Sequence, residues 1–532
     1  MTEQRNILIA GGGTAGWLTA CYLAQVLGRD DETCPRITVI ESPDIGIIGV
    51  GEGTFPTIRT TLKTLGIDEA RFLREATATY KQGIKFVDWA RTPQPDAYGN
   101  LQHDYYLHPF EAPYHVEGAG LLPYWLLLDE KTRPAFADAV TVQQRVANAS
   151  KAPKRIHEGN YNGPLNFAYH FDAMKFAGLL AERGVELGVR HLKGNIGEVH
   201  LDSDGAIAGI DTAEHGRLTA DLYIDCTGFA SLLLGKALKT PFTSVRPCLF
   251  TDRAVTCQVP YDDVHCDINS YTVSTAHEAG WTWDIGLKTR RGVGYVYSSD
   301  HSTDDRAEEI LRGYVGGDAE ITPRRIRFEA GYRDSQWVKN CVAVGLAGSF
   351  FEPLESTGIV LIEIAAGYIA DFFPRSGPVE APARLYNKLM KARMERITNF
   401  IKLHYCITRR EEPFWRDNAD ARSIPDDFRY LLGLWKHRPP SRFDFQIDLE
   451  SFAYFSYQYV LYGMGYETDL GPARGSYPYA DNAQKIFERI RGFSEGALKD
   501  LPSHRELIDQ VYAHGFTQRQ SDKLLSVKQG GR

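Results

Sequence analysis

The chain has 532 residues, 43% hydrophobic and 24% charged, and a formal net charge of −8. That length and composition allow a core of two or more modules, and the scattered basic residues exclude the electrostatic footprint of a nucleic-acid binder. Eight cysteines without C-x-x-C spacing exclude a zinc site or disulfide framework, and fit a reducing cytoplasm. The start Met1-Thr-Glu-Gln-Arg-Asn6 lacks the regions of an export signal, and no run of about 18 apolar residues occurs, so neither secretion nor a membrane partner is expected.

In chain order, Ile7 to Ile9 reads as an apolar strand, Thr14 to Leu27 as a helix stopped by Gly28, and Arg36 to Glu41 as the second strand of a parallel βαβ unit. Between them Gly11-Gly12-Gly13-Thr14-Ala15-Gly16 matches G-x-G-x-x-G, with Gly11, Gly13, Thr14, Ala15 and Gly16 around a pyrophosphate at the helix start. Glu41, 25 residues beyond Gly16, is placed to bind a ribose; the plainer alternative is a surface acid at a strand end. Gly51-Glu52-Gly53-Thr54 is a further glycine-bearing loop.

From about Pro95 to Lys154 aromatics, prolines and histidines crowd together, a poor helix or strand and a good pocket lining. Strand-like runs return at Val189 to Leu192, Ala206 to Thr212, Leu222 to Ile224 and Val342 to Gly345. Beyond Pro374 the pattern is helical, at Ala383 to Cys406, Ser451 to Tyr462 and Asn482 to Gly492, before a polar tail ending Gln529-Gly-Gly-Arg532. The expected fold is α/β: a discontinuous dinucleotide-binding module over 1–94 and 155–374, and a mainly helical substrate-side module over 95–154 and 375–532.

Four segments carry a resemblance to one family. Phe351-Glu352-Pro353-Leu354-Glu355-Ser356-Thr357-Gly358-Ile359 looks like the signature of the flavin-dependent, tryptophan-type halogenases, and Tyr80-Lys81-Gln82-Gly83 resembles the stretch that holds their active lysine. Gly280-Trp281-Thr282-Trp283-Asp284-Ile285-Gly286 is similar to the family's W-x-W-x-I-P with Gly286 in place of proline, a change expected to loosen the turn. Tyr106-Leu107-His108-Pro109-Phe110 resembles the segment whose histidine and phenylalanine line the aromatic pocket. Asp221 to Gly228 and Val342 to Ser349 resemble further FAD contacts of flavoprotein monooxygenase-like folds. The family's Tyr-Tyr pair and glutamate for an amino-acid backbone are missing near Ser441 to Ser451, which points from free tryptophan to another indole-like substrate.

Read physically, Thr357 and Gly358 open an apolar helix and leave their N–H groups outward, a capped helix start by default. The resemblance makes them a halide site, places Gly348, Ser356 and Ile359 among the FAD contacts, and puts His108, Phe110, Trp281 and Trp283 in the substrate pocket; the Gly51 loop is expected to close over the isoalloxazine, with an ordinary loop as the alternative. Were the Lys81 stretch helical, Lys81 and Lys85 would share a face; a solvated role is expected for Lys85 and a catalytic one for Lys81. The resemblance implies FADH2 from a separate flavin reductase, O2 and chloride or bromide, giving hypohalous acid that Lys81 relays to a small aromatic substrate. Glu355 polarises the halogen donor or takes the ring proton. A homodimer is compatible with this reading. Its competitors are a flavin-dependent aromatic monooxygenase, which needs no active lysine, an NAD-dependent dehydrogenase, and a non-catalytic flavin-binding sensor.

Overall fold

The computed structural model describes residues 4–28, 31–46, 51–317, 319–446 and 449–516, so the tail ending at Arg532 lies outside the described residues. Two compact units share the chain, one built from 1–67, 171–252 and 327–398, the other from 68–170, 253–326 and 399–532. These cuts differ from the expected boundaries at 94, 154 and 374, and strand pairing is the reason. Thr272 to Thr275 pair in parallel with Ile84 to Val87, which ties residues 253–326 to the lysine region rather than to the dinucleotide-type sheet. Residues 375–398 stay with the first unit, where the Asn387 side chain accepts the backbone N–H groups of Gln336 and Trp337 at 2.9 and 2.8 Å.

The first unit centres on a sheet ordered 190–193, 36–41, 6–10, 222–225, 341–343 and 337–338. All its pairings are parallel except the last. Its strands are short apolar runs covered on both faces, as a parallel sheet requires, and Leu8, Ile40, Tyr223 and Cys341 form its core. Asn6–Ala10, Thr14–Leu27 and Arg36–Glu41 give the strand, helix and strand expected from the sequence. The helix Thr14–Leu27 lies against Ala173–Glu186, where Gly184 leaves room for Trp17: a Cβ there would fall 2.8 Å from the indole.

The second unit carries a large sheet ordered 324–327, 253–260, 290–297, 280–286, 272–277, 83–87 and 105–109, in which the pairings from 253–260 onward are antiparallel apart from 272–277 with 83–87. The strand Thr79–Lys81 leaves this sheet at Gln82 and pairs antiparallel with Ala168–Phe171. Helix Tyr454–Gly463 is close to the expected run, Ala480–Asp500 extends the expected one past Gly492, and His504–His514 is a further helix that the sequence pattern did not mark. Among the described residues no helix is long and apolar enough to cross a membrane.

Candidate active site

The first turn is built for close backbone approach, and its glycines divide the work. Gly11 has φ +112°, and a Cβ there would meet the Cys226 carbonyl oxygen at 2.3 Å; a Cβ on Gly16 would meet the Gly11 carbonyl oxygen at 1.9 Å. Gly13, the residue before the helix, faces open space and leaves the helix start without a side-chain cap. Thr14 begins the helix, and Ala15 lies beneath Gly345, where an added Cβ would come within 2.8 Å of it. Glu41 folds against Gly12, whose missing side chain makes the space, and accepts a hydrogen bond from His191 Nε2 at 2.8 Å. An uncapped helix start beside a half-exposed carboxylate fits the pyrophosphate and ribose of an adenine dinucleotide.

Two strand ends complete this face of the unit. After Leu222–Asp225, the buried Asp225 carboxylate accepts the N–H groups of Thr227, Leu233 and Leu234 at 2.8 to 3.0 Å, so the turn is shaped by one side chain. After Cys341–Ala343, Gly345 adopts φ +68°, whereas Gly348 is enclosed by the Gln336 side chain and the Ala343 carbonyl. Gly51 is half-buried.

The segment Pro353–Glu355 forms one 3-10 turn, Ser356 takes φ +57°, and the helix Thr357–Phe372 starts at once. The Ser356 side chain does not cap it, contrary to the plain reading of a capped start. Thr357 and Gly358 occupy the first two helical positions, whose N–H groups have no partner within the helix. Gly358 is exposed, with open space where a Cβ would stand, while Thr357, Glu355 and Ile359 are buried. Glu352 is also fully buried and accepts the Thr251 hydroxyl. Further along the helix, Glu363 accepts the hydroxyls of Thr57 at 2.8 Å and Thr61 at 2.5 Å, and burial pushes its carboxyl up to about 7.

In the second unit the Lys81 stretch is two strands around Gln82, not a helix, because Gly83 to Val87 is held between neighbouring strands on both sides. Gly83 makes the step: it has φ +157°, and a Cβ would strike the His108 carbonyl oxygen at 2.4 Å. Lys81 is 0% exposed, with its Nζ 5.5 Å from the centre of the Phe110 ring. Lys85 is half-buried, its Nζ 3.4 Å from Asn148 Oδ1 and 4.1 Å over the Tyr105 ring, and burial lowers its pKa. The two lysines are thus separated by environment as well as by motif.

The backbone around Lys81 is held by distant residues. Tyr80 N–H donates to His504 Nε2 at 3.0 Å, and His504 Nδ1 donates to the Ile268 carbonyl at 2.8 Å, which fixes a neutral tautomer. Burial takes the pKa of His504 down to about 4. Gln82 N–H donates to the Ser270 carbonyl at 2.7 Å. The buried His108 packs its ring 5.8 Å from Phe400 and 6.2 Å from Tyr459. A cavity of about 270 Å³ opens beside the strand Tyr105–Pro109, lined by Tyr105, Trp125, Arg133, Phe136, Tyr459 and Tyr462 among others, so the aromatic run does line a pocket. Lys81, His108 and Phe110 are not part of that lining.

Trp281 and Trp283 alternate in register on the strand Gly280–Gly286, with ring centres 6.2 Å apart, and Trp281 rests 6.2 Å from Trp89. Gly294 on the next strand makes room for Trp283, since a Cβ there would lie 2.1 Å from the indole. Gly286 does not loosen the chain. It pairs with Arg291, accepts the Thr79 hydroxyl at 2.6 Å, and has Ile268 Cγ2 2.8 Å from where a Cβ would stand.

The family model for tryptophan halogenase matches residues 6–474. The chain belongs to the tryptophan halogenase family. It is 35% identical to a tryptophan 6-halogenase of Streptomyces toxytricini over 94% of this chain and 97% of that protein. A tryptophan halogenase from Shewanella frigidimarina superposes with a TM-score of 0.91 at 40% identity, covering 97% of this chain and 99% of the other. A flavin-dependent halogenase from Brevundimonas sp. BAL3 gives 0.84 at 31%, with 96% and 100% covered.

This flavin-dependent halogenase therefore has the FAD-binding Rossmann-like fold of its neighbours, and the reaction type is halogenation rather than hydroxylation or NAD-dependent hydride transfer. Reduced flavin, halide and O2 are the general requirements of the family. Several residues that shape the halogenase's candidate site escaped the sequence reading. Gly12 and Gly345 were legible as glycines near the turns, but His170 and His504 had no signal, because only the fold carries them to the lysine strand.

Proposed function

We propose that this halogenase installs chloride or bromide on an electron-rich, indole-like aromatic ring, with FADH2 supplied by a separate flavin reductase. The observation that carries this reading is Lys81: a fully buried amine beside an aromatic ring, on a strand whose backbone is pinned by His504. Gly11, Gly13, Thr14, Ala15 and Gly16 would hold the dinucleotide pyrophosphate, Glu41 a ribose, and Gly51, Gly348, Ser356 and Ile359 the flavin end. Bound reduced flavin supplies the two electrons that, with O2, turn halide into hypohalous acid.

The chain's own residues do the rest. Thr357 and Gly358 offer two N–H groups and the positive end of a 16-residue helix to the halide. Lys81 takes up the hypohalous acid. His108 and Phe110 border the aromatic ring, and Trp281 and Trp283 wall the substrate from the cofactor. As the ring gains halogen it loses a proton, and Glu355, a buried carboxyl, is placed by the motif to accept it and pass it to the hydroxide of the hypohalous acid, which leaves as water. Burial stabilises the neutral amine, because it penalises the charged form.

The test is mass spectrometry of products from a panel of indoles and free tryptophan, with FAD, a flavin reductase, and bromide or chloride in turn. A monohalogenated indole is expected, bromide reacting faster. No halogenated product from any member would overturn the substrate reading, and tryptophan as the best substrate would restore the amino acid.

A further inference from the structure

Lys81 and His170 lie on one face of a two-stranded pairing. Lys81 is opposite Ala168 and Thr79 is opposite His170, so the lysine and the histidine are diagonal neighbours, a spacing of about 7–8 Å that long side chains bridge. Ala168 is too short to reach a lysine amine, and the Thr79 hydroxyl donates its proton to the Gly286 carbonyl. His170 is 0% exposed; its Nε2 is 2.8 Å from Thr272 Oγ1, and its Nδ1 is buried without a hydrogen-bond partner. A buried polar nitrogen left so is costly and asks for a function.

The titratable groups that bear on His170 are Lys81 on the paired strand and His504 on the C-terminal helix; burial first, then their charges, hold its pKa well below 6.5. It is therefore a neutral imidazole facing the side of a lysine. Of its two tautomers, the one with Nε2–H donating to Thr272 leaves a lone pair on Nδ1 for a neighbouring amine N–H, and the other places a donor there.

We propose that His170 is a positioning residue for Lys81: its Nδ1 accepts one N–H of the lysine amine across one bridging water, aiming the other at the hypohalous acid. Thr272 supports this tautomer by accepting the Nε2–H. The assignment rests on the reading of Lys81 given above. Without the acceptor, Lys81 still occupies its pocket but loses this aim, and the oxidant escapes before it meets the ring.

The experiment measures two products per FADH2 consumed, halogenated indole and methionine sulfoxide. It uses the full chain with FAD, flavin reductase and bromide, with free methionine as the trap for escaping hypohalous acid. His170→Phe, which fills the space without an acceptor, should lower the halogenated fraction about tenfold and raise the sulfoxide, at unchanged FADH2 consumption. His170→Asn, which restores an acceptor, should recover at least about a third of it. Thr272→Val should move both readouts in the direction of His170→Phe, and it decides the matter if that variant fails to fold. Wild-type coupling in His170→Phe or in Thr272→Val overturns the proposal, as do equal losses in the Phe and Asn variants with no rise in sulfoxide. Lys81→Ala runs alongside: if it still halogenates, the reading of Lys81 fails, whereas a silent Lys81→Ala with a fully coupled His170→Phe sinks this inference alone.

Discussion

At the Gly11–Gly16 turn and the Thr357 helix start, the donors are backbone N–H groups, and side chains matter chiefly by their absence: Gly13 and Gly358 open onto free space. At Lys81 the reverse holds. The functional group is one buried amine, and residues from four other stretches, Phe110, Ala168 to His170, Ser270 to Thr272 and His504, hold or border its strand. A backbone site tolerates distant change and fails when a Cβ intrudes, whereas a buried side-chain site depends on every neighbour that satisfies its polar atoms.

The sharpest break of that comparison is Lys81→Ala, expected to cut halogenated product by about a hundredfold or more while FADH2 consumption continues. Product and flavin oxidation measured side by side decide it. Next is the backbone site. Gly358→Glu has room for its side chain and puts an acid in the first helical turn, where it favours the helix. Its charge should raise the KM for bromide about tenfold without lowering Tm, and an unchanged KM would remove Gly358 from the halide site.

His504→Ala should leave the Tyr80 N–H and the Ile268 carbonyl without their partner and cost about 2 to 4 kcal/mol in denaturant unfolding. In the wild type, His504 keeps a folded pKa of about 4. The unfolded chain then takes up its proton first, so stability is full above pH 6.5 and is lost as pH falls toward 4. The opposite sign applies to Glu363, whose folded pKa is raised to about 7. Here the folded state holds a proton that the unfolded state has released, so stability falls as pH rises from about 4.5 toward 7. Glu363→Gln should remove that slope and raise Tm by a few degrees at pH 8, as read by thermal scans across pH. The smallest effect is expected for Lys85→Met: halogenation within about twofold of wild type, because its half-buried amine sits over Tyr105 rather than beside Phe110.

The parts that could be read from the sequence follow the same division. The helix Thr14–Leu27 and the strand Arg36–Glu41 have the expected ends because glycine, β-branched runs and an acid mark them locally. The helix after Ser356 was legible too, though the absence of a side-chain cap was not, since it depends on the left-handed backbone of Ser356. The reading of Lys81 and Lys85 as possible helical neighbours failed because strand pairing across nearly 200 residues, Ile84 with Thr272, overrides a local pattern. The expected module boundaries missed for the same reason, and Gly286 is locked in a ladder rather than loosened.

By itself, then, the sequence determined what short-range spacing encodes: a dinucleotide-type turn, a helix start with free donors, the lysine and tryptophan motifs, and through them the family. Tertiary structure alone decided that Lys81 is fully buried, that a neutral His504 pins its strand, and that His170 turns an unpartnered nitrogen to the same face. Those facts depend on pairings between segments that are remote in the chain, and burial, tautomer and pKa are properties of the packed surroundings rather than of the residue.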